Sequence, residues 1–293
     1  MILVVGGDED PNIAALIEAL EQRGTAHRPL LVGSSSHPRV TWEVESGDLF
    51  IDGERTAPKG MFIRHDVFSG FSDPRPDVGA RALGWHTALS GWALAREEVR
   101  LLNRNWAQRL TNKPFHLELA RKSGLAVPST IVSNDFAHVA SLAEERELVV
   151  KPINGGGYCE ELADVLKRTE EKRGSAAMPA IVQDRMILPE VRIYGIGGKF
   201  IPFSVSSEAL DYRAAKECKV EALKEAPEET VQGLAQLMER LGMDYGAADF
   251  KTCPRTGKLL FLEINSGPMF SRFNYVSGGA VCNAMIDFLT GES

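Results

Sequence analysis

The chain has 293 residues, 44% of them hydrophobic and 25% charged, the proportions of a globular protein long enough for two domains or one large α/β unit. A total of 33 lysines and arginines against 40 aspartates and glutamates leaves a formal charge of -7, which argues against a nucleic-acid partner, since such proteins normally carry a basic stripe. Cys159, Cys218, Cys253 and Cys282 form no CxxC pair, so reduced thiols without structural zinc are expected, and the lack of any apolar run near the roughly 20 residues of a membrane span predicts a soluble, cytoplasmic protein with no membrane partner.

Ile2 to Val5 reads as a buried strand, Gly6-Gly7 as a turn, and Pro11 to Arg23 as an amphipathic helix with Ile13, Leu16, Ile17 and Leu20 on one face. Alternating runs at Arg39 to Glu45 and Leu49 to Asp52, separated by Ser46-Gly47, predict a small hairpin. Met61-Phe62-Ile63 predicts another buried strand, whose carboxyl end carries Arg64-His65-Asp66 at the edge where α/β sheets often build sites. Ser69 to Asp77, rich in Gly, Ser, Asp and Pro, is read as a loop. Val78 to Arg100 returns to helical composition, and its Trp85, Leu89, Trp92 and Leu94 stripe is read as core rather than as a ligand platform. A strand around Leu101-Leu102-Asn103 then closes an N-terminal α/β unit.

In the second half a helix from Lys113 to Lys122 stops at Gly124, Val127 to Val132 is extended, and Phe136 to Glu147 is helical. Leu148-Val149-Val150 forms a strand leading into Lys151-Pro152. Further strands are predicted at Ala180 to Asp184, Val191 to Ile196 and Lys199 to Val205, a helix at Glu228 to Leu241, and a hairpin over Tyr245 to Ile264. This mixture indicates α+β architecture.

That hairpin carries the most informative chemistry. Strand alternation puts Glu263 and Asn265 on one face, and pairing across the turn Pro254 to Lys258 brings Asp249 beside them. Three hard oxygen donors suit magnesium held together with substrate phosphates. The competing reading, a solvated edge hairpin, is weakened by the apolar run Leu259 to Leu262 around them, because a buried carboxylate needs compensation. A second feature is Lys151 at the end of an apolar strand, followed by Asn154-Gly155-Gly156-Gly157-Tyr158. An ammonium and backbone amides there can close over phosphate oxygens, although the segment alone reads as a glycine turn and matches neither GxxxxGK[ST] nor GxGxxG.

Taken in order, Thr111-Asn112-Lys113, Gly124 to Thr130, Val149-Val150-Lys151-Pro152, Asp249 and Glu263-Ile264-Asn265 resemble the ATP-grasp family, especially its glutathione-synthetase and ribosomal-protein glutamate-ligase branch. The resemblance covers about residues 101 to 290. It implies an α/β and α+β protein: a Rossmann-like N-terminal pre-ATP-grasp domain over 1–100, then a two-lobed ATP-grasp fold with a central lid lobe over 101–187 and a C-terminal lobe over 188–293. It also implies an ATP- and magnesium-dependent carboxylate-amine or carboxylate-hydroxyl ligase that works through an acyl phosphate and releases ADP and phosphate.

By the same resemblance, Lys113 and Lys151 bind phosphates under a cover formed by Gly155, Gly156 and Gly157. The hinge Gln183-Asp184-Arg185-Met186-Ile187-Leu188 cradles adenine, with Gln183, Asp184, Met186 and Ile187 as its contacts. Glu190 meets the ribose hydroxyls, Arg192 faces the transferred phosphoryl group, and Asp249, Glu263 and Asn265 hold magnesium. For Glu190 and Arg192 a surface ion pair is an equal reading of the residues alone. Glu160-Glu161, directly after the glycine loop, are expected to point to solvent. Ser206 to Arg213 looks like the Asp-Trp-Arg neighbourhood of the microviridin-type ligases that close rings in ribosomal peptides, with Tyr212 in place of tryptophan; Arg213 then binds the acceptor carboxylate or the phosphoryl group. The partners so implied are ATP, a carboxylate substrate and its amine or hydroxyl nucleophile, with a precursor peptide as one candidate; a homodimer is the common family assembly. A ligase acting on free amino acids and a non-catalytic nucleotide-binding module remain the alternatives.

Overall fold

The computed structural model describes residues 1–33, 36, 38–105, 112–153, 157–210 and 217–292. Strand β1 (Ile2–Gly7) is buried along its whole length. Its alternation explains why no polar residue interrupts it: Leu3 and Val5 enter one core and Ile2 and Val4 another. Helix α1 (Pro11–Gln22) starts where the Asp10 carboxylate accepts from the Asn12 amide at 2.8 Å. After β2 (His27–Val32) the chain makes a small antiparallel sheet of β3 (Val40–Trp42), β4 (Leu49–Ile51) and β5 (Glu54–Arg55), and returns as β6 (Gly60–Ile63).

Helix α2 (Phe68–Ser72) occupies part of the segment expected to be a loop. Asp66 explains the difference, because its Oδ1 accepts from the Phe68 and Ser69 amides at 2.9 and 3.2 Å and so caps a short helical turn despite the Gly-Ser composition. Helix α3 (Pro76–Leu94) ends short of the predicted Arg100, which instead opens β7 (Arg100–Leu101). Leu89 and Trp92 are buried and Trp85 and Leu94 pack against the same cluster, so the tryptophan stripe is core. The parallel sheet has the order β2-β1-β6-β7.

Helix α4 (Lys113–Lys122) begins at an Asn112 cap. Strand β8 (Thr130–Asp135), α5 (Phe136–Glu145), β9 (Leu148–Lys151), β10 (Glu160–Glu161), α6 (Leu162–Arg168) and β11 (Ser175–Asp184) follow. They build an antiparallel sheet ordered β10-β9-β11-β8, whose core joins Leu148 and Val182 to Val139 of α5 and Leu162 of α6. Glu160 is exposed against Arg168, and Glu161 is paired with Arg185 at 3.1 Å.

The last sheet contains β12 (Ile187–Ile196), β13 (Lys199–Ser206), β14 (Lys219–Ala222), β15 (Tyr245–Thr252) and β16 (Leu259–Asn265), in the order β14-β13-β12-β15-β16. Helix α7 (Glu228–Leu241) precedes β15 and ends on Gly242 at φ 63°, the left-handed conformation that glycine adopts at least cost. Val191, Ile193, Ala248, Phe250, Phe261 and Ile264 cover one face of the sheet and pack against α4 and α7. On the other face Tyr194, Phe203 and Ala247 join α1, α8 (Ser271–Val276) and α9 (Ala280–Thr290) in the largest core. Among the described residues no helix is long and apolar enough to cross a membrane.

The N-terminal sheet is tied to the loop that leaves β16. Arg64 Nε donates to Asp10 at 2.7 Å while its Nη1 donates to the carbonyls of Gly267 and Pro268 at 3.1 and 3.0 Å. Asn12 Oδ1 accepts from the Phe270 and Ser271 amides at 2.6 and 2.9 Å. Charge-assisted and backbone-directed bonds of this kind fix where the loop after Asn265 runs.

Candidate active site

A cleft of about 510 Å³ opens between the sheet of β8–β11 and the uncovered part of the sheet of β12–β16. Of the residues singled out in the sequence, Lys113, Lys151, Gly157, Gln183, Asp184, Met186, Glu190, Arg192, Asp249, Glu263 and Asn265 line it. Ile187 does not; it begins β12 and is about half exposed. Gly155, Gly156 and Arg213, with Asn154, Asp211 and Tyr212, lie outside the described residues.

The floor of the cleft is set by strand register. Asp249 of β15 stands opposite Glu263 of β16, and Ala247 opposite Asn265, so the three oxygen-bearing side chains share one face. Across the other edge of β15, Arg192 pairs with Asp249 and Glu190 with Lys251. Side-chain contacts follow the register. Arg192 Nη1 donates to both Asp249 oxygens at 2.9 and 3.0 Å, with the two side chains 6% and 8% exposed. Its guanidinium carbon lies 5.5 and 5.4 Å from the ring centres of Tyr194 and Phe273. Lys251 Nζ is 3.1 Å from Glu190 Oε2 and donates to the Leu210 carbonyl at 2.7 Å. Glu190 and Arg192 are therefore buried at the cleft, and the surface ion-pair reading is set aside: each lies on the face of β12 that lines the cleft.

The walls carry the lysines. Lys113, at the start of α4, reaches Glu263 at 3.3 Å. Lys151, at the end of β9, donates to Gln183 Oε1 at 3.1 Å, and the Gln183 amide donates onward to Thr130 Oγ1 at 2.9 Å. Asp184 holds Arg146 at 2.8 Å and Arg255, from the β15–β16 turn, at 3.4 Å. Burial pushes the Tyr194 hydroxyl up to about 12, so it stays a neutral donor, here to the Met269 carbonyl at 2.5 Å. Burial lowers the His116 imidazole, and the Glu263 charge opposes that shift.

Lys251 and Arg272 also line the cleft, and neither was singled out from the sequence. For Lys251 a signal was present, since it lies two residues from Asp249 on the same strand and alternation puts both on one face. Among the described residues no three His, Cys, Asp or Glu side chains form a metal-binding group, so the candidate metal set is two carboxylates and an amide.

No family model and no curated protein matches the chain. Solved structures do. The chain is similar to the ATP-grasp ligase PsnB complexed with a minimal precursor, at 26% identity over 98% of both chains and a TM-score of 0.76. The same ligase complexed with minimal precursor, Mg and ADP gives 25% identity over 98% of this chain and 97% of that one, with a TM-score of 0.76. The macrocyclase MdnC from Microcystis aeruginosa, bound to the precursor peptide MdnA, shares the fold at 18% identity over 99% of both chains, with a TM-score of 0.73.

Proposed function

We propose that this chain, an ATP-grasp ligase by its fold and by likeness over nearly its whole length, uses ATP and magnesium to phosphorylate a side-chain carboxylate of a ribosomally made peptide and then joins it to an amine or hydroxyl of that peptide. The observation that carries this reading is the convergence of Asp249, Glu263 and Asn265 with Lys113, Lys151 and Arg192 in one cleft between two sheets. The peptide substrate is taken over from the PsnB and MdnC complexes.

The donor set fits magnesium. Asp249 and Glu263 are hard oxygen ligands on adjacent strands, Asn265 adds a neutral oxygen, and each carboxylate already lies beside a cation that phosphate oxygens attract. When bound, magnesium neutralises charge on the phosphate oxygens. The chain supplies the rest. Lys113 and Lys151 orient the triphosphate from the two walls, and Arg192, held rigid by Asp249 and two aromatic rings, offers a fixed fork to the oxygen in transfer. Gln183, Asp184 and Met186 form the adenine side, and Glu190 accepts from the ribose hydroxyls. A carboxylate oxygen attacks the terminal phosphorus and ADP leaves; the amine or hydroxyl then attacks the acyl carbon, loses its proton and expels phosphate. Arg213 orients the acceptor or the acyl phosphate.

The parallel order β2-β1-β6-β7 supports a Rossmann-like reading of 1–100, and the two sheets flanking the cleft support lobes over 101–187 and 188–293. Mass spectrometry of carboxylate-bearing peptides incubated with the protein, ATP and magnesium tests the proposal: one water is lost per bond formed, with ADP as the nucleotide product. Arg213→Ala should keep ATP binding and lose condensation; condensation at the wild-type rate removes Arg213 from the site. Condensation of free amino acids but of no peptide would move the assignment to a small-molecule ligase, and ATP binding independent of magnesium would favour a non-catalytic module.

A further inference from the structure

Lys251 has no place in the reaction just described, although it lies within the cleft. It stands opposite Glu190 in the β12–β15 register, its ammonium 3.1 Å from Glu190 Oε2 and 2.7 Å from the Leu210 carbonyl, with the two side chains 14% and 7% exposed. The ion pair, anchored by the lysine's bond to the Leu210 carbonyl, fixes where the Glu190 oxygens point. That orientation matters for a ligand bearing two adjacent hydroxyls, because a carboxylate so placed accepts from both.

We infer that Lys251 is a positioning residue of the nucleotide site: anchored on the Leu210 carbonyl, its ammonium holds the Glu190 side chain in place to receive the ribose hydroxyls, and so sets the preference for a ribonucleotide. The inference rests on the assignment of Glu190 to the ribose. The pair lies on the cleft-lining face, beside the Arg192–Asp249 pair, where a bound ligand can reach it. The neighbouring pair also explains why the lysine needs an anchor, because a flexible ammonium without the Leu210 carbonyl could swing toward Asp249 instead.

Titration calorimetry of the full chain with magnesium-ATP and with magnesium-2′,3′-dideoxy-ATP reads this directly. The wild-type protein should bind ATP about tenfold more tightly than the dideoxy nucleotide, the size of one good polar interaction. In Lys251→Met the ratio should fall to about twofold or less, chiefly through weaker ATP binding, while Lys251→Arg, which keeps a cation, retains most of it. If Lys251→Met does not fold, Lys251→Gln, an uncharged donor of similar reach, takes its place with the same expected collapse of the ratio. A variant that weakens both nucleotides equally and keeps the wild-type ratio overturns the inference, since that is what a merely structural or long-range charge does. A wild-type protein that binds both nucleotides equally overturns it together with the ribose assignment of Glu190, and one that binds no magnesium-ATP overturns the nucleotide reading as a whole.

Discussion

Asp249 and Glu263 stand opposite one another on adjacent strands, yet each meets a different cation, Arg192 at 2.9 Å and Lys113 at 3.3 Å, and this division of partners gives the two carboxylates different vulnerabilities. Glu263→Gln removes a charge that the proposed reaction assigns to magnesium, and its partner Lys113 can relax toward water. ADP release should drop by about two orders of magnitude or more with the melting temperature nearly unchanged. Asp249→Ala, by contrast, strips the buried Arg192 of its two-point partner, which costs about 3–5 kcal/mol, and the melting midpoint should fall by roughly 10 °C. Equal thermal stability of the two variants would refute the distinction. The shared face of Asp249, Glu263 and Asn265 was legible because alternation along β16 and pairing across the short β15–β16 turn are both local in sequence. The partners of Glu190 and Arg192 were not, because they depend on the register between β12 and β15, which shifts between Ile187 and Glu190.

At the scale of elements, buried apolar strands and capped helices were read closely: α1, α4 and α7 begin at the predicted residues. Where composition was misleading, a tertiary or capping contact decided. Strand β2 went unread because His27, Arg28 and Pro29 break its apolar pattern, and it is held by parallel pairing to β1. Helix α2 hid behind glycine and serine until Asp66 capped it. Gly60 opens β6 against the end of α9, where an added Cβ would come within 2.3 Å of the Leu289 carbonyl oxygen. Gly60→Ala should destabilise by about 1–3 kcal/mol, since backbone and not a flexible side chain must move. Gly84→Ala, inside α3 with nothing within 4 Å, should stabilise by about 0.5–1 kcal/mol. Urea unfolding of the two variants checks both signs, and a neutral Gly60→Ala would show that the β6–α9 approach is looser than described.

Among the described residues, burial lowers two imidazoles. Desolvation lowers His86, with His65 adding to the shift, and desolvation lowers His116 against the opposing pull of Glu263. An imidazole whose folded value lies below its unfolded value of about 6.5 binds protons more readily in the unfolded chain. Stability from both residues is therefore complete above about pH 6.5 and declines as the pH falls through the window down to their folded values. The melting midpoint should drop between pH 7 and pH 5, less steeply in His116→Leu; an identical slope in that variant would contradict the role given to His116.

The same scale holds the three-way arrangement on which function depends: a parallel sheet clamped by Arg64 and Asn12 to the loop after Asn265, and two antiparallel sheets facing each other across the cleft. In the proposed chemistry a peptide carboxylate oxygen is carried away on the phosphate. A peptide that the protein condenses, prepared with oxygen-18 in its side-chain carboxylates, should release inorganic phosphate bearing one labelled oxygen for each bond formed, alongside ADP. Unlabelled phosphate, or AMP with pyrophosphate, would contradict carboxylate phosphorylation in this cleft.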